Sequence, residues 1–214
     1  MGTGKAVFLI SSGLESCYLL CNESKKYDKV YPLYVSFGFP WEDAEKAHLK
    51  KLLKSTSVCS LTEVSCDFTN LYAGHWALGS NIPGYDAPDG SVYIPGRNVF
   101  LGNIAACLCL VKEANFIVGG WLKPNLYKDS AKRFFSKYSN LLSETLGRGI
   151  KIRCPLLGKD KNDILKKVDE NILSITFSCI NPIDNLHCGC CKKCAERKKA
   201  FLKAEITDMT KYNS

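Results

Sequence analysis

The chain has 214 residues, 46% of them hydrophobic and 23% charged, proportions of a globular protein with length for one well-buried core but not for two full-sized domains. The 16 Gly and 8 Pro are too few for a fibrous or disordered chain. No uninterrupted apolar stretch approaches the roughly 18 residues that span a bilayer, which argues against a membrane segment or secretory leader and for a cytoplasmic protein. The formal charge of +8 is scattered over Lys50, Lys51, Lys54, Lys132, Lys166 and Lys167. It therefore reads as a solvated basic surface that attracts an anionic ligand rather than as a dedicated nucleic-acid site.

In chain order, residues 5–10 form an apolar run of strand length, followed by a Ser-Gly loop and a helix-like stretch at 16–24. Residues 30–37 read as a second strand. Residues 41–54 set Ala44, Ala47 and Leu52 among charges as an amphipathic helix does, and 60–65 alternates like a third strand. From 66 to 93 no period holds, and Pro83, Gly84, Pro88, Asp89 and Gly90 punctuate a long loop of the kind that serves as a functional lid. A buried helix at 98–113, a strand at 115–120, a helix at 130–146, a strand at 151–154 and a helix at 160–168 follow. Strands alternating with helices predict an α/β fold, a doubly wound parallel sheet with right-handed crossovers. Cys17, Cys21, Cys107 and Cys109 fall on the apolar faces of these helices, where free Cys acts as a small hydrophobe.

In such a sheet ligands bind beyond the carboxyl ends of the strands, so Ser11-Ser12-Gly13-Leu14-Glu15-Ser16 stands where a nucleotide would be held. Small residues admit phosphate oxygens to the backbone, and amides and hydroxyls donate to them. A plain turn with a helix cap accounts for the same residues equally well. The cluster Cys179-x8-Cys188-x2-Cys191-x2-Cys194 is more specific. Four thiolates at these steps suit a tetrahedral structural zinc with no open position for water. An iron-sulfur cluster is the competing occupant of the same ligand set, and His187 and Cys190 lie inside the segment as possible exchanging ligands.

Three blocks carry a resemblance. Ser11, Gly13 and Ser16 match the Ser-Gly-Gly-x-Asp-Ser loop of PP-loop ATP pyrophosphatases, with Ser12 in place of a glycine and Glu15 in place of the aspartate. Tyr93-Ile94-Pro95-Gly96-Arg97-Asn98 resembles the Val-Pro-Gly-Arg-Asn signature of 7-cyano-7-deazaguanine synthases, and so do the four cysteines with Arg197 beyond them. The resemblance implies an adenine-nucleotide alpha-hydrolase type of sheet at 1–170 and a small helical zinc-binding segment at 171–214. It implies ATP bound by Ser11, Ser12, Gly13, Leu14, Glu15, Ser16 and Gly119 with magnesium. It further implies Arg97 and Lys161 as catalytic contacts to anionic groups, and a substrate contacted by Arg97, Asn98, Tyr127 and Asp129. The family reaction adenylates 7-carboxy-7-deazaguanine, and ammonia then displaces AMP on the way to the nitrile.

Two segments depart from the family. Gly38-Phe39-Pro40-Trp41-Glu42-Asp43 replaces a Gln-Arg-His-like stretch after the second strand. The stretch 123–131 keeps Tyr127 and Asp129 but has Ala131 where an arginine is usual. Both would line the acceptor side, so three readings stand: the synthase with ammonia as nucleophile, a ligase that hands the deazaguanine acyl group to a protein amine as in bacterial antiviral cassettes, and a catalytically weak nucleotide- or partner-binding module. Enzymes of this resemblance are often homodimers, and helix 98–113 could pack within or between chains.

Overall fold

A computed structural model describes residues 3–56, 58, 60–122 and 127–213. Five strands, β1 (Lys5–Leu9), β2 (Lys29–Ser36), β3 (Thr62–Ser65), β4 (Phe116–Val118) and β5 (Lys151–Arg153), pair throughout in parallel in the order β3-β2-β1-β4-β5. Central strands of a parallel sheet are covered on both faces, and β1 shows it: Val7 points into one core while Ala6 and Phe8 point into the other, all at 0% exposure. The helices are α1 (Leu14–Tyr18), α2 (Glu42–Lys54), α3 (Arg97–Lys112), α4 (Lys132–Thr145), α5 (Lys161–Leu165), α6 (Glu170–Ile175) and α7 (Lys192–Ala204). α3 and α4 pack with Val7 and Ile117 on one face, and α1, α5 and α7 with Phe8 and Val118 on the other. The doubly wound arrangement expected from the sequence is present.

Local chemistry sets the boundaries. α2 carries Glu42, Asp43 and Glu45 in its first turn and Lys51 and Lys54 in its last, matching the helix dipole. Glu42 also ties down the turn before it, accepting from Phe37 N at 2.7 Å, from Gly38 N at 3.3 Å and from the Ser36 hydroxyl. Gly96 takes φ +69° to launch α3. Asp160 and Asp163 close a reciprocal capping box on α5, which ends at Leu165 and so is shorter than the expected 160–168.

Three expectations need correction. Helix 98–113 is buried on one side only: Gly102, Ala105, Ala106 and Cys109 face the sheet, while Val111 is 74% exposed. Cys107 on that helix is exposed rather than packed. α1 is regular for only five residues and continues as a wider π turn over Leu19–Glu23. The segment 89–112 is long and apolar enough by composition to cross a bilayer, yet Arg97 and Asn98 within it line a polar cleft. The loop at 66–93 contains two short 3-10 turns, Trp76–Leu78 and Asp89–Val92. An aromatic wall of Phe37, Phe39, Trp41 and Trp76, with rings 4.8–5.7 Å apart in sequence, binds the loop to the first core.

Residues 171–213 share both cores with the sheet: Phe177 and the four cluster cysteines join the first, Ala200, Phe201 and Ala204 the second. Arg197, 1% exposed, donates to Thr210 Oγ1 at 2.7 Å, Thr176 Oγ1 at 2.9 Å and Leu173 O at 3.1 Å, bridging α7 to α6 and to the segment after it.

Candidate active site

The chain leaves β1 toward β2 on one side and returns to β4 on the other, so the crevice beyond β1 and β4 is the topological switch point of the sheet. A cleft of about 640 Å³ opens there. Its floor is the loop after β1. Ser11 N donates to Ser16 Oγ at 2.8 Å, Gly13 N to Ser11 Oγ at 3.1 Å and Cys17 N to Gly13 O at 3.0 Å, which curls the backbone around the two hydroxyls. Ser12 turns the other way: its hydroxyl donates to Phe177 O at 3.3 Å, and its carbonyl accepts from Phe177 N at 2.7 Å. The loop is thereby laced to the strand-like segment that leads into Cys179.

Glu15 reaches across the floor. Its Oε1 pairs with Lys161 Nζ at 3.1 Å, while an added Cβ on Gly13 would meet its Oε2 at 3.3 Å, so the second oxygen lies over the loop. Burial works against charge in both partners, but their mutual attraction outweighs it. The Glu15 carboxyl ends below the ordinary carboxylate range, and the Lys161 ammonium, helped by Glu196 at 3.7 Å, ends above the ordinary lysine value. Lys193 joins this network through Glu196 at 2.9 Å. Across the cleft, burial pushes the Glu45 carboxyl upward against the opposing pull of Arg97. Tyr34 donates to Glu45 Oε2 at 2.8 Å.

Several polar atoms here are buried and unsatisfied. Among the described residues, Arg97 Nε, both Asp129 carboxylate oxygens and Ser178 Oγ have no hydrogen-bond partner, and all three residues line the cleft. Native interiors pair such groups with protein, water or ligand, so orphans gathered in one concavity make it a candidate ligand site.

The structure brings Ser11, Gly13, Glu15, Ser16, Arg97, Asn98, Gly119, Tyr127, Asp129 and Lys161 to this one cleft. Ser12 and Leu14 lie behind the loop, at 0% and 1% exposure, and do not line it. At Gly119 a Cβ would stand 2.3 Å from the Trp121 ring, whose Nε1 donates to Asn98 Oδ1 at 3.0 Å. Tyr127 stacks on Tyr93 at 4.5 Å and donates to Asp89 O at 3.2 Å. The neighbouring 123–126 stretch lies outside the described residues. Sequence reasoning missed Glu45, Ser178 and Glu196, and named Tyr93 only as part of the signature block. Glu45 had one available signal: it is an acid in the first turn of the helix that follows a strand's carboxyl end.

Beside the cleft, the Sγ atoms of Cys179, Cys188, Cys191 and Cys194 all lie within 4.8 Å of one another and could hold a metal ion. Cys188 N and Asn181 N donate to Cys179 Sγ at 3.3 Å, and Cys191 N to Cys188 Sγ at 3.3 Å, contacts that favour thiolates. Cys190 is exposed, outside this set. His187 is 2% exposed, and its Nε2 accepts from Ser178 N at 3.2 Å, so it orients the segment instead of joining the four sulfurs. The lid is fastened to the same knuckle: Lys192 N donates to Pro83 O at 2.9 Å and Lys192 Nζ pairs with Asp89 at 2.7 Å.

Residues 5–205 match the family described as Queuosine biosynthesis protein QueC. The chain is 26% identical to the 7-cyano-7-deazaguanine synthase of Methanobrevibacter smithii over 234 aligned positions, covering 100% of both chains. It is 28% identical to that of Pyrococcus furiosus over 232 positions, 97% of this chain and 96% of the relative. Among solved structures, the U34-tRNA thiolase NcsA from Methanococcus maripaludis superposes with a TM-score of 0.51 at 10% identity, covering 96% of this chain and 67% of that one, a likeness of fold alone. The chain belongs to the QueC family, ATP-using enzymes of PP-loop fold whose curated relatives here are 7-cyano-7-deazaguanine synthases.

Proposed function

We propose that this enzyme activates the carboxylate of 7-carboxy-7-deazaguanine with ATP and transfers the acyl group to ammonia, giving the amide and, after a second activation, 7-cyano-7-deazaguanine. The observation that carries the reading is the two-ended cleft. Loop hydroxyls, amides and Lys161 gather at one end, and Arg97 Nε and the Asp129 oxygens, without hydrogen-bond partners among the described residues, lie in the same concavity. A carboxylate is a poor electrophile, so its oxygen first attacks the α-phosphorus and pyrophosphate departs. The nitrogen lone pair then attacks the acyl carbon, and AMP leaves with the C–O electron pair.

The protein's part is to position and to stabilise charge. Ser11, Gly13 and Ser16 hold phosphate oxygens, Lys161 exchanges its carboxylate partners for phosphate, and Arg97 holds the substrate carboxylate or the acyl phosphate formed from it. Glu15, with its second oxygen over Gly13, is the acid that would hold a magnesium ion brought with ATP, and that ion would supply charge to screen the phosphates.

The four cysteines fit zinc. Tetrahedral bonds of about 2.3 Å put sulfurs about 3.8 Å apart, and the pairs Cys179–Cys188, Cys179–Cys191 and Cys188–Cys194 stand at 3.5, 3.8 and 3.9 Å. A cubane cluster, which gives each thiolate its own iron, needs a wider ring of sulfurs. Cys179, Cys188, Cys191 and Cys194 would hold the metal in a structural role, tying together the segment after Ser178, the Lys192 anchor of the 66–93 loop and the start of α7.

A second acceptor would be an amine on a polypeptide; Lys199 and Lys203 on α7 line the cleft and stand exposed to solvent. Incubation with ATP, magnesium and 7-carboxy-7-deazaguanine, with and without ammonium, decides. Amide or nitrile supports the synthase, a mass increase on a co-expressed protein supports the ligase, and absence of AMP under every condition sinks both.

A further inference from the structure

We propose that Asp129 reads the N–H edge of the substrate's ring, accepting one hydrogen bond from the ring N1–H and one from the exocyclic 2-amino group. This role presupposes the deazaguanine substrate argued above and adds which end of it each charged residue binds. Both Asp129 oxygens are buried without a donor among the described residues, an arrangement that folded proteins rarely keep unless a ligand, water or ion completes it.

The turn that carries the carboxylate is held in place. Asp129 sits in the 3-10 turn Lys128–Ser130, whose Ser130 hydroxyl donates to Tyr127 O at 3.0 Å. Tyr127 in turn is fixed by its stack on Tyr93 and its bond to Asp89 O in the lid. An ionised carboxylate can only accept, and it has two oxygens in one plane; the matching partner is a flat group with two parallel N–H donors. The 2-aminopyrimidinone edge of a guanine-type ring is such a group, and the Tyr93–Tyr127 pair gives the aromatic flank that a planar ring prefers. Arg97 supplies the opposite chemistry. Its Nε is likewise buried with no hydrogen-bond partner among the described residues, so an anion-seeking and a donor-seeking group line the same cleft. A bicyclic ring with a carboxylate at one end and an N–H pair at the other satisfies both.

The test uses the full-length, metal-loaded enzyme. Calorimetry compares 7-carboxy-7-deazaguanine with the analogue lacking the 2-amino group, on the parent and on Asp129→Ala and Asp129→Asn, with ATP affinity, melting temperature and metal content as controls of folding. The parent is expected to favour the amino-bearing ring by about 10- to 100-fold, the range for hydrogen bonds to a charged group. Asp129→Ala loses that preference, binding the parent substrate about as weakly as the analogue, while ATP affinity is kept. Asp129→Asn, with one acceptor left, falls between. An unchanged ratio in either well-folded variant overturns the role of Asp129 while leaving the substrate reading intact. A raised KM for ammonium with the ring preference kept also overturns it, placing Asp129 at the nucleophile. Failure of the parent enzyme to bind either ring removes the substrate reading and this role together.

Discussion

Replacing Arg197 tests how the C-terminal segment is held. Arg197→Ala deletes three hydrogen bonds from a charged donor and the guanidinium's packing over the Phe201 ring at 5.0 Å. The groups left behind are not all stranded. Thr176 Oγ1 still donates to Leu173 O at 2.6 Å, and Asp208 keeps Tyr212 OH at 2.6 Å and Thr210 N at 3.1 Å. Relief of the desolvated charge offsets part of the loss, so the net cost is about 3–5 kcal/mol, the usual result of opening a buried charged network. At roughly 2–4 °C per kcal/mol for a chain of this size, the melting temperature falls by about 6–20 °C. Arg197→Met restores most of the buried volume without the donors, and about half of the loss should return. Calorimetric melts of metal-saturated protein measure both. An alanine variant that melts within about 2 °C of the parent, a cost under about 1 kcal/mol, would refute the bridging role.

Glu45→Gln is expected to stabilise the protein at neutral pH. Burial raises this carboxyl, so the folded state holds its proton to higher pH than the unfolded chain. The stabilisation belongs to low pH and is lost as pH rises through the folded value. Denaturant melts at acid and neutral pH should therefore show a gain that grows with pH, and a gain that shrinks instead contradicts the sign. Gly120→Ala places a Cβ 2.7 Å from Glu15 Cβ, where neither backbone can yield without moving the loop, so ATP affinity measured by calorimetry should drop at least about tenfold. Removing the metal with a chelator should speed hydrogen exchange at 79–93 as well as at the cysteines, because Pro83 and Asp89 are anchored on Lys192. Exchange confined to the cysteine segment would mean that the lid holds itself.

Much of the site was readable because its pieces are local in sequence. Pro95-Gly96-Arg97-Asn98 is a turn whose glycine takes a positive φ, with Arg97, which lines the cleft, as the first helical residue. The cysteine spacing brings four sulfurs together by short steps alone, as a metal site requires. Glu45, Ser178 and Glu196 escaped notice because each lies among unremarkable neighbours, and only the crossing of α2, α7 and the segment before Cys179 brings them to the same crevice. Ser12 and Leu14 were placed on the ligand side because the motif is contiguous, yet a curled loop presents alternate residues to opposite sides.

Sequence by itself determined the alternation of strands and helices, hence the parallel sheet and the position of the loop at 11–16 at its switch point, since periodicity and glycine placement act within a few residues. It also determined the thiolate set. Only the tertiary structure decided that Glu15, one methylene longer than the aspartate it stands for, spends its reach on Lys161. It decided too that Arg97 Nε and both Asp129 oxygens lie buried with no hydrogen-bond partner among the described residues. Those outcomes depend on which side chains distant segments deliver to one low-dielectric cleft, and charge pairing there is settled by distance and burial rather than by order along the chain.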